Sequence, residues 1–262
     1  MFAKLLKYEW KGSYKLLGTL SICALGCGLL ATGLLRLIAF FDGKMVNNPA
    51  AVFAVVICGF LLFGLYMGAV LLVSGSQFWL YYRFYKTKFT DEGYLTFTLP
   101  VKPWKIFAAA MTNIYLWGLI IGLSVAAALL MALLLGAQVD LRQVFGVFIG
   151  EDAAIGMMIL YLPSLISALT NNVLVMASIT AGAVAAKKHK ILAAVGIYFG
   201  QSIVQGTVSS VIAVIMMFLI FAETAGAVSF AVYCLLGAVP LLWGIGAYIL
   251  SVKLLNNKLN LP

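Results

Sequence analysis

Six long apolar runs constrain this chain more than any other feature. They span residues 16–40, 50–80, 106–136, 153–186, 191–221 and 228–252. A membrane-spanning helix needs about 20 predominantly apolar residues, and every run is long enough. Charged residues make up 10% of the chain, against about 25% in a typical soluble domain. The sequence therefore predicts an all-α integral membrane protein with six transmembrane helices, and it excludes a soluble enzyme and a disordered chain.

The segments between the apolar runs are short. On one predicted side of the membrane they are residues 41–49, 137–152 and 222–227, none of which is long enough to form a soluble domain. The opposite side carries one larger loop, residues 81–105. We therefore interpret residues 1–262 as a single transmembrane domain.

Lysine and arginine are distributed unequally between the two sides of this predicted domain. Fourteen of the seventeen lie on the side that holds both termini and the 81–105 loop. Because cytoplasmic loops carry an excess of these residues, we predict that both termini are cytoplasmic. The net charge of +9 then divides into about +11 inside and −2 outside. The charge is therefore a topology signal, and no nucleic-acid partner is expected.

Residues 1–15 have an amphipathic helical pattern. At about 100° per residue, four lysines share one arc, while Leu5, Leu6 and Trp10 lie on the opposite side. Such a helix lies in the membrane interface with its lysines toward anionic headgroups. Glu9 falls among the apolar residues, so we expect it to face protein rather than lipid. The segment is interpreted either as a topology anchor or as an elbow helix that transmits motion from a cytoplasmic partner to span one.

The 81–105 loop combines a short predicted helix with an apolar surface. Pro100 disfavours helix at the residue before it, and Pro103 is placed to open the next helix. About two helical turns between the spans would carry acids and exposed apolar side chains. These are Asp91, Glu92, Tyr94, Leu95, Phe97 and Leu99. An apolar patch of this kind is typical of a partner surface, although an ordinary amphipathic connector would have the same pattern.

The loop and the N-terminal segment together resemble the type-2 ABC export permeases. The loop contains an acid, a glycine, a leucine two positions later, Leu-Pro and then a basic and aromatic entry to a helix. The residues that carry this resemblance are Asp91, Glu92, Gly93, Leu95, Leu99, Pro100, Lys102 and Trp104. Residues 4–11 are similar to the start of many small permeases of Gram-positive bacteria. The resemblance implies a peptide cargo, because small permeases of this type, the phenol-soluble modulin exporters among them, often export antimicrobial or cytolytic peptides.

The resemblance implies a mechanism and a set of partners. The 81–105 loop, with Tyr94 included, would form a cytoplasmic coupling helix that docks on a separate ABC ATPase subunit. The N-terminal elbow helix, with Leu5, Leu6, Glu9 and Trp10, would pass the movement on. Six spans make one half of a substrate path, so a second permease, identical or different, would complete a dimer. The expected location is the cytoplasmic membrane of a bacterium.

The chain lacks the motifs of an enzyme. It has no G-x-x-x-x-G-K-[ST] phosphate loop, so ATP and magnesium are expected on the partner ATPase and no cofactor on this chain. Its single histidine, His189, lies among lysines, which disfavours a metal site. No HExxH motif or pair of acids lies in a span, which leaves no predicted catalytic residues.

Polar residues inside the spans have two interpretations. They can form hydrogen bonds between helices, or they can line a transport path near the dimer axis, where the resemblance implies spans two and five. The candidates are Met67, Gln77, Phe78, Asn171, Asn172, Gln201 and Gln205. Two GxxxG pairs, Gly64/Gly68 and Gly196/Gly200, are interpreted as packing sites inside the bundle rather than as a dimer axis.

Apolar spans without central charges favour an external motor over ion coupling. They also suit an amphipathic or apolar cargo, such as an antimicrobial or cytolytic peptide, better than a sugar or an ion. The predicted function is therefore the permease subunit of an ATP-driven exporter. The alternative is a membrane scaffold or sensor that uses the loop to recruit a cytoplasmic partner without transport.

Overall fold

The computed structural model describes residues 2–42, 48–90, 93, 101–138, 151–186, 188–221 and 227–257. For 151–165 and for parts of 213–237 it describes the backbone alone. The helices in these ranges are α1 (Phe2–Asp42), α2 (Pro49–Phe89), α3 (Pro103–Met131), α4 (Glu151–Ala185), α5 (Lys190–Phe221) and α6 (Ala227–Asn257). A single π-helical turn, Ala132–Gly136, continues α3.

The predicted six spans are confirmed within these described ranges. Six helices are long and apolar enough to cross a membrane, and no strand interrupts them there. Most of their large apolar side chains are solvent-exposed in the isolated chain. Such a surface is stable only in lipid or against other apolar protein. The chain is therefore a multi-pass, all-α membrane protein.

The structure does not show a separate elbow helix at the N-terminus. Residues 2–15 are helical, as expected, but they continue without a break into span one. No proline interrupts this stretch, and Ser13 bonds back to the carbonyl of Glu9 at 2.8 Å while the helix stays regular. Burial follows the amphipathic pattern except at Phe2, which shares the apolar side with Leu5, Leu6 and Trp10 in the sequence but is exposed. The four lysines are exposed, and Leu5, Leu6, Glu9 and Trp10 are half-buried.

The second span is longer than the apolar run predicts. Helix α2 has 41 residues and includes 81–89, which the sequence assigned to the loop. Only residues 90–102 separate α2 from α3, and we call this segment the α2–α3 connection. Pro103 is the first residue of α3, as predicted. At the other end of α2, the Asn48 side chain accepts a 3.0 Å hydrogen bond from the Ala50 N–H and caps the helix before Pro49.

The chain divides into two compact units. Unit 1 comprises Met1–Leu5, Tyr81–Thr112 and Glu151–Pro262, and unit 2 comprises Leu6–Leu80 and Asn113–Gly150. In unit 1, α5 and α6 both pack against α4. A Cβ atom added at Gly182 of α4 would lie 2.7 Å from the Cβ of Ala194, so the absence of a side chain allows α4 and α5 to approach closely.

In unit 2, α1 packs closely against α3. A Cβ at Gly28 would lie 2.6 Å from the Cα of Ala128, so only glycine permits this crossing. At the π-helical turn, the Ala137 N–H donates to the Ala132 carbonyl at 3.1 Å. The Arg36 Nε donates to the Leu135 carbonyl at 2.5 Å. An arginine near the end of α1 thus binds a carbonyl at the end of α3.

Candidate functional site

Six residues of the predicted coupling surface lie outside the described residues. They are Asp91, Glu92, Tyr94, Leu95, Leu99 and Pro100. Their role stays a prediction from the sequence. The structure does describe Gly93, Lys102 and Trp104, together with the helix ends on both sides of the connection.

Gly93 lies directly against the end of α2. Its N–H donates to the Thr90 carbonyl at 2.8 Å. A Cβ at this position would overlap the carbonyl group of Lys88, and a backbone carbonyl cannot move aside cheaply. The glycine predicted from the loop motif is therefore required by a close backbone approach.

Lys102 and Trp104 mark the other end of the connection. Both side chains are exposed, and Trp104 is 43% exposed. The Lys105 N–H donates to the Lys102 carbonyl at 2.9 Å, which begins the first turn of α3. The Lys105 ammonium lies 5.6 Å from the Trp104 ring centroid. An exposed tryptophan beside two lysines is the chemistry expected of a contact surface.

An aromatic cluster holds the two helix ends together within unit 1. The Phe84 ring of α2 lies 5.7 Å from Phe89 and 5.9 Å from Phe107 of α3, measured between centroids. Phe107 in turn lies 5.5 Å from Tyr248 of α6. The three phenylalanines are almost completely buried. These edge-to-face contacts fix the base of the connection on α6.

Two hydrogen bonds tie the same base to α4 and α5. The Tyr81 hydroxyl donates to the Oδ1 of Asn172 on α4. The Lys190 ammonium, at the start of α5, donates to the Phe89 carbonyl at 3.4 Å, where α2 ends. Helices α4 and α5 thus contact the last residues of α2 directly, whereas α6 reaches them through Phe107 of α3.

Two of the polar residues predicted in spans four and five, Asn171 and Gln201, form bonds between α4 and α5. The Tyr198 hydroxyl donates to the Oδ1 of Asn171 at 3.0 Å. The Gln201 amide nitrogen donates to the Leu174 carbonyl at 2.9 Å and to the Ser178 hydroxyl at 2.6 Å. These bonds favour the interpretation of Asn171, Asn172 and Gln201 as packing residues.

Gln205 is half-buried on the same face of α5, one turn beyond Gln201. Gln201 also lines a cavity of about 550 Å³ between α4, α5 and α6. Four of the seven candidates thus belong to unit 1, and one of them, Gln201, lies at a cavity wall.

The span-two candidates do not share one face of α2. Met67 and Phe78 are exposed, at 43% and 73%, and their separation of 11 residues places them within about 20° on the helix. Gln77 instead packs against α3, where a Cβ at Gly118 would lie 2.9 Å from its amide nitrogen. In unit 2, Gln77 is therefore an interhelical contact, whereas Met67 and Phe78 face outward.

Sequence reasoning missed a buried polar cluster in unit 2. The Asn113 amide donates to the Ser13 hydroxyl at 3.1 Å, and both residues are almost completely buried. One turn along α3, the Trp117 ring stacks on Trp10 with centroids 4.5 Å apart. Among the described residues, the Asn113 Oδ1 and the Trp117 Nε1 have no hydrogen-bond partner. An asparagine inside an apolar run was the available signal for this cluster.

The part of the chain that the structure describes holds no group of three His, Cys, Asp or Glu side chains that could bind a metal ion. The chain was compared with protein-family models, with curated proteins and with solved structures, and none of these comparisons found a match.

Proposed function

We propose that this chain is the permease subunit of an ATP-driven ABC exporter in a bacterial cytoplasmic membrane. A separate ATPase subunit, which binds ATP and magnesium, docks on the α2–α3 connection. A second permease, identical or different, completes the substrate path. The cargo is an amphipathic or apolar molecule, with antimicrobial or cytolytic peptides as the favoured class.

One observation carries the coupling part of this proposal. Helix α2 continues for nine residues, 81–89, beyond its apolar run, which corresponds to about 13 Å at about 1.5 Å per residue. The end of α2, where the connection begins, therefore lies beyond the apolar run, which favours access for a soluble partner. Because Phe84, Phe89 and Phe107 are buried at its base, the extension is held by α3 and α6. A rigid base of this kind suits a lever better than it suits a flexible recruitment loop.

The glycine pairs support a dimer. Among the described residues, nothing lies within 4 Å of a Cβ built at Gly64, Gly68, Gly196 or Gly200, so these positions are open to a further helix. The first pair lies on α2 and the second on α5. In each of these helices the most apolar segment is only 6% buried in the chain. Small residues on an open helix face permit close approach of a second transmembrane helix.

The test is co-expression of the full chain with the ATPase encoded beside its gene, followed by co-purification and peptide-stimulated ATPase assays in nanodiscs. Leu95→Asp should reduce partner binding at least about tenfold, because a charge would enter an apolar contact. Glu92→Ala should weaken coupling. Gly93→Ala should displace the connection itself, because its methyl group would push the connection away from the Lys88 carbonyl.

Ala137→Asp is the matched control, since it adds the same charge at the exposed far end of α3. It should bind the ATPase normally. Normal transport by the connection variants would contradict the coupling role. An ATPase that never co-purifies, or a partner that binds without any peptide transport, would favour the scaffold alternative.

A further inference from the structure

The cavity in unit 1 has the shape and chemistry of a lipid-chain site. It measures about 550 Å³, within the range of about 300–1,000 Å³ typical of ligand pockets. Small residues create the space, namely Ala177 and Ala181 on α4 and Gly246 and Ala247 on α6. The cavity opens at the protein surface, where the lining residue Leu250 is 54% exposed. A chain could thus enter sideways from the surrounding lipid.

The walls of this cavity offer little to a polar ligand. The Gln201 amide nitrogen is already bonded to the Leu174 carbonyl and the Ser178 hydroxyl. Trp243 contributes one indole N–H, and the other lining side chains are aliphatic. A sugar or a small ion would lose its hydration for at most a few replacement hydrogen bonds, whereas a hydrocarbon chain would lose nothing.

The faces of α5 and α6 that line the cavity also carry a lysine each, beyond one end of the cavity. At about 100° per residue, Lys253 falls within the arc of α6 that lines the cavity, and it lies about 4.5 Å along the axis from Leu250. On α5, Lys190 lies within about 20° of Ile197 and about 10 Å along the axis. Lys253 is exposed and Lys190 is half-exposed.

Among the residues that the structure describes at this end of unit 1, all the charged ones are basic. Lys188, in the segment between α4 and α5, is exposed at the same end. Within the described residues of unit 1, the only acids are Glu151 and Asp152, which lie at the opposite end of α4. A ligand with an anionic group at this end and an apolar body in the cavity would match both features.

We propose that this cavity binds an acyl chain of an anionic phospholipid, whose headgroup lies against Lys190, Lys253 and Lys188. Basic pockets between transmembrane helices are a recurring setting for such headgroups. Because Lys190 also donates to the Phe89 carbonyl at the end of α2, the lipid would lie beside the base of the α2–α3 connection. The cavity and the lysines are the basis for this site, and the proposal is independent of the proposed exporter function.

The experiment is native mass spectrometry of the full chain released from nanodiscs that contain palmitoyl-oleoyl phosphatidylglycerol, phosphatidylcholine or defined mixtures of the two. One phosphatidylglycerol should remain bound in preference to phosphatidylcholine. Each lysine near an anionic lipid contributes a factor of about five. Lys190→Gln with Lys253→Gln should therefore reduce the preference about 30-fold. The control Lys4→Gln with Lys7→Gln removes two exposed lysines of α1 and should leave it unchanged.

A second variant tests the cavity itself. Gly246→Leu fills the space and should abolish retention of the lipid, while Gly206→Leu, on an open face of α5, should not. Phosphatidylglycerol with a photoactivatable chain should cross-link to α6 in the wild type and lose that cross-link in Gly246→Leu. Equal binding of the two lipids, or retention in Gly246→Leu, would overturn the proposal. So would an apolar peptide that occupies the cavity while phosphatidylglycerol does not bind. None of these readouts involves the ATPase, so they are independent of the coupling test.

Discussion

Ser13 and Asn113 are a buried polar pair whose two members are not equivalent. The Ser13 hydroxyl donates to the Glu9 carbonyl at 2.8 Å and accepts from the Asn113 amide at 3.1 Å. Ser13→Ala would leave the buried Asn113 amide without its acceptor, so we expect a loss of about 1–2 kcal/mol. Asn113→Leu removes the same bond but also removes an oxygen that has no partner. We therefore expect Asn113→Leu to change stability by less than about 1 kcal/mol.

Unfolding in mixed micelles would measure both variants. Thr19→Ala is the control, because the exposed Thr19 hydroxyl bonds only within α1, to the Leu16 carbonyl at 2.7 Å. It should change stability by less than about 0.5 kcal/mol. If Asn113→Leu proved much more damaging than Ser13→Ala, the Asn113 oxygen would have a partner, for example a buried water shared with the Trp117 indole.

At the scale of helices, glycines two residues apart on α1 should respond oppositely to a methyl group. Gly28→Ala would place its Cβ 2.6 Å from the Cα of Ala128 and force α1 and α3 apart, at a cost of about 1–3 kcal/mol. Gly26→Ala meets nothing within 4 Å, so it should be neutral or stabilise the helix by up to about 1 kcal/mol. Thermal unfolding of the two variants checks the pair. Equal destabilisation by both would show that the α1–α3 crossing does not depend on Gly28.

The number and type of these helices could be predicted from the sequence, because a run of about 20 apolar residues already satisfies the membrane. Their ends could not. Residues 81–89 are too polar for a span, yet they are helical because Phe84 packs on Phe89 and on Phe107 of α3. The average hydropathy of the segment does not contain this long-range contact. Similarly, the amphipathic pattern of residues 1–15 fits an interfacial helix and a continuous one equally well.

The candidate site was predictable in part for the same reason. Gly93 could be identified from its motif, because the motif reflects a local backbone requirement. Whether Gln77 faces a path or a neighbouring helix depends on which face of α2 meets α3, and hydropathy does not contain that information. The cavity beside Gln201 arises from small residues on two helices distant in sequence, so only the folded chain shows it.

Across the whole molecule, charge and apolar exposure give complementary information. Fourteen of seventeen basic residues belong to one predicted side, which argues for an orientation with both termini cytoplasmic. Six crossings are an even number, so they would return the chain to the side where it started. The large apolar side chains left exposed on α2 and α5, such as Phe60 at 74% and Phe199 at 61%, must then be covered by lipid or by a second chain.

We expect that second chain to use at least one of the open glycine pairs. Gly64→Leu with Gly68→Leu, or Gly196→Leu with Gly200→Leu, would add bulk where helices can otherwise approach closely, and at least one double variant should weaken dimerisation about tenfold or more. Single-molecule photobleaching in bilayers at graded dilution measures the association directly. Gly26→Leu with Gly33→Leu is the control, because both positions on α1 are equally open within the chain. If α1 lies outside the interface, this control dimerises normally. A wild-type chain that stays monomeric at all densities would contradict this prediction. So would two double variants that dimerise like the wild type. In either case, lipid would cover both open faces.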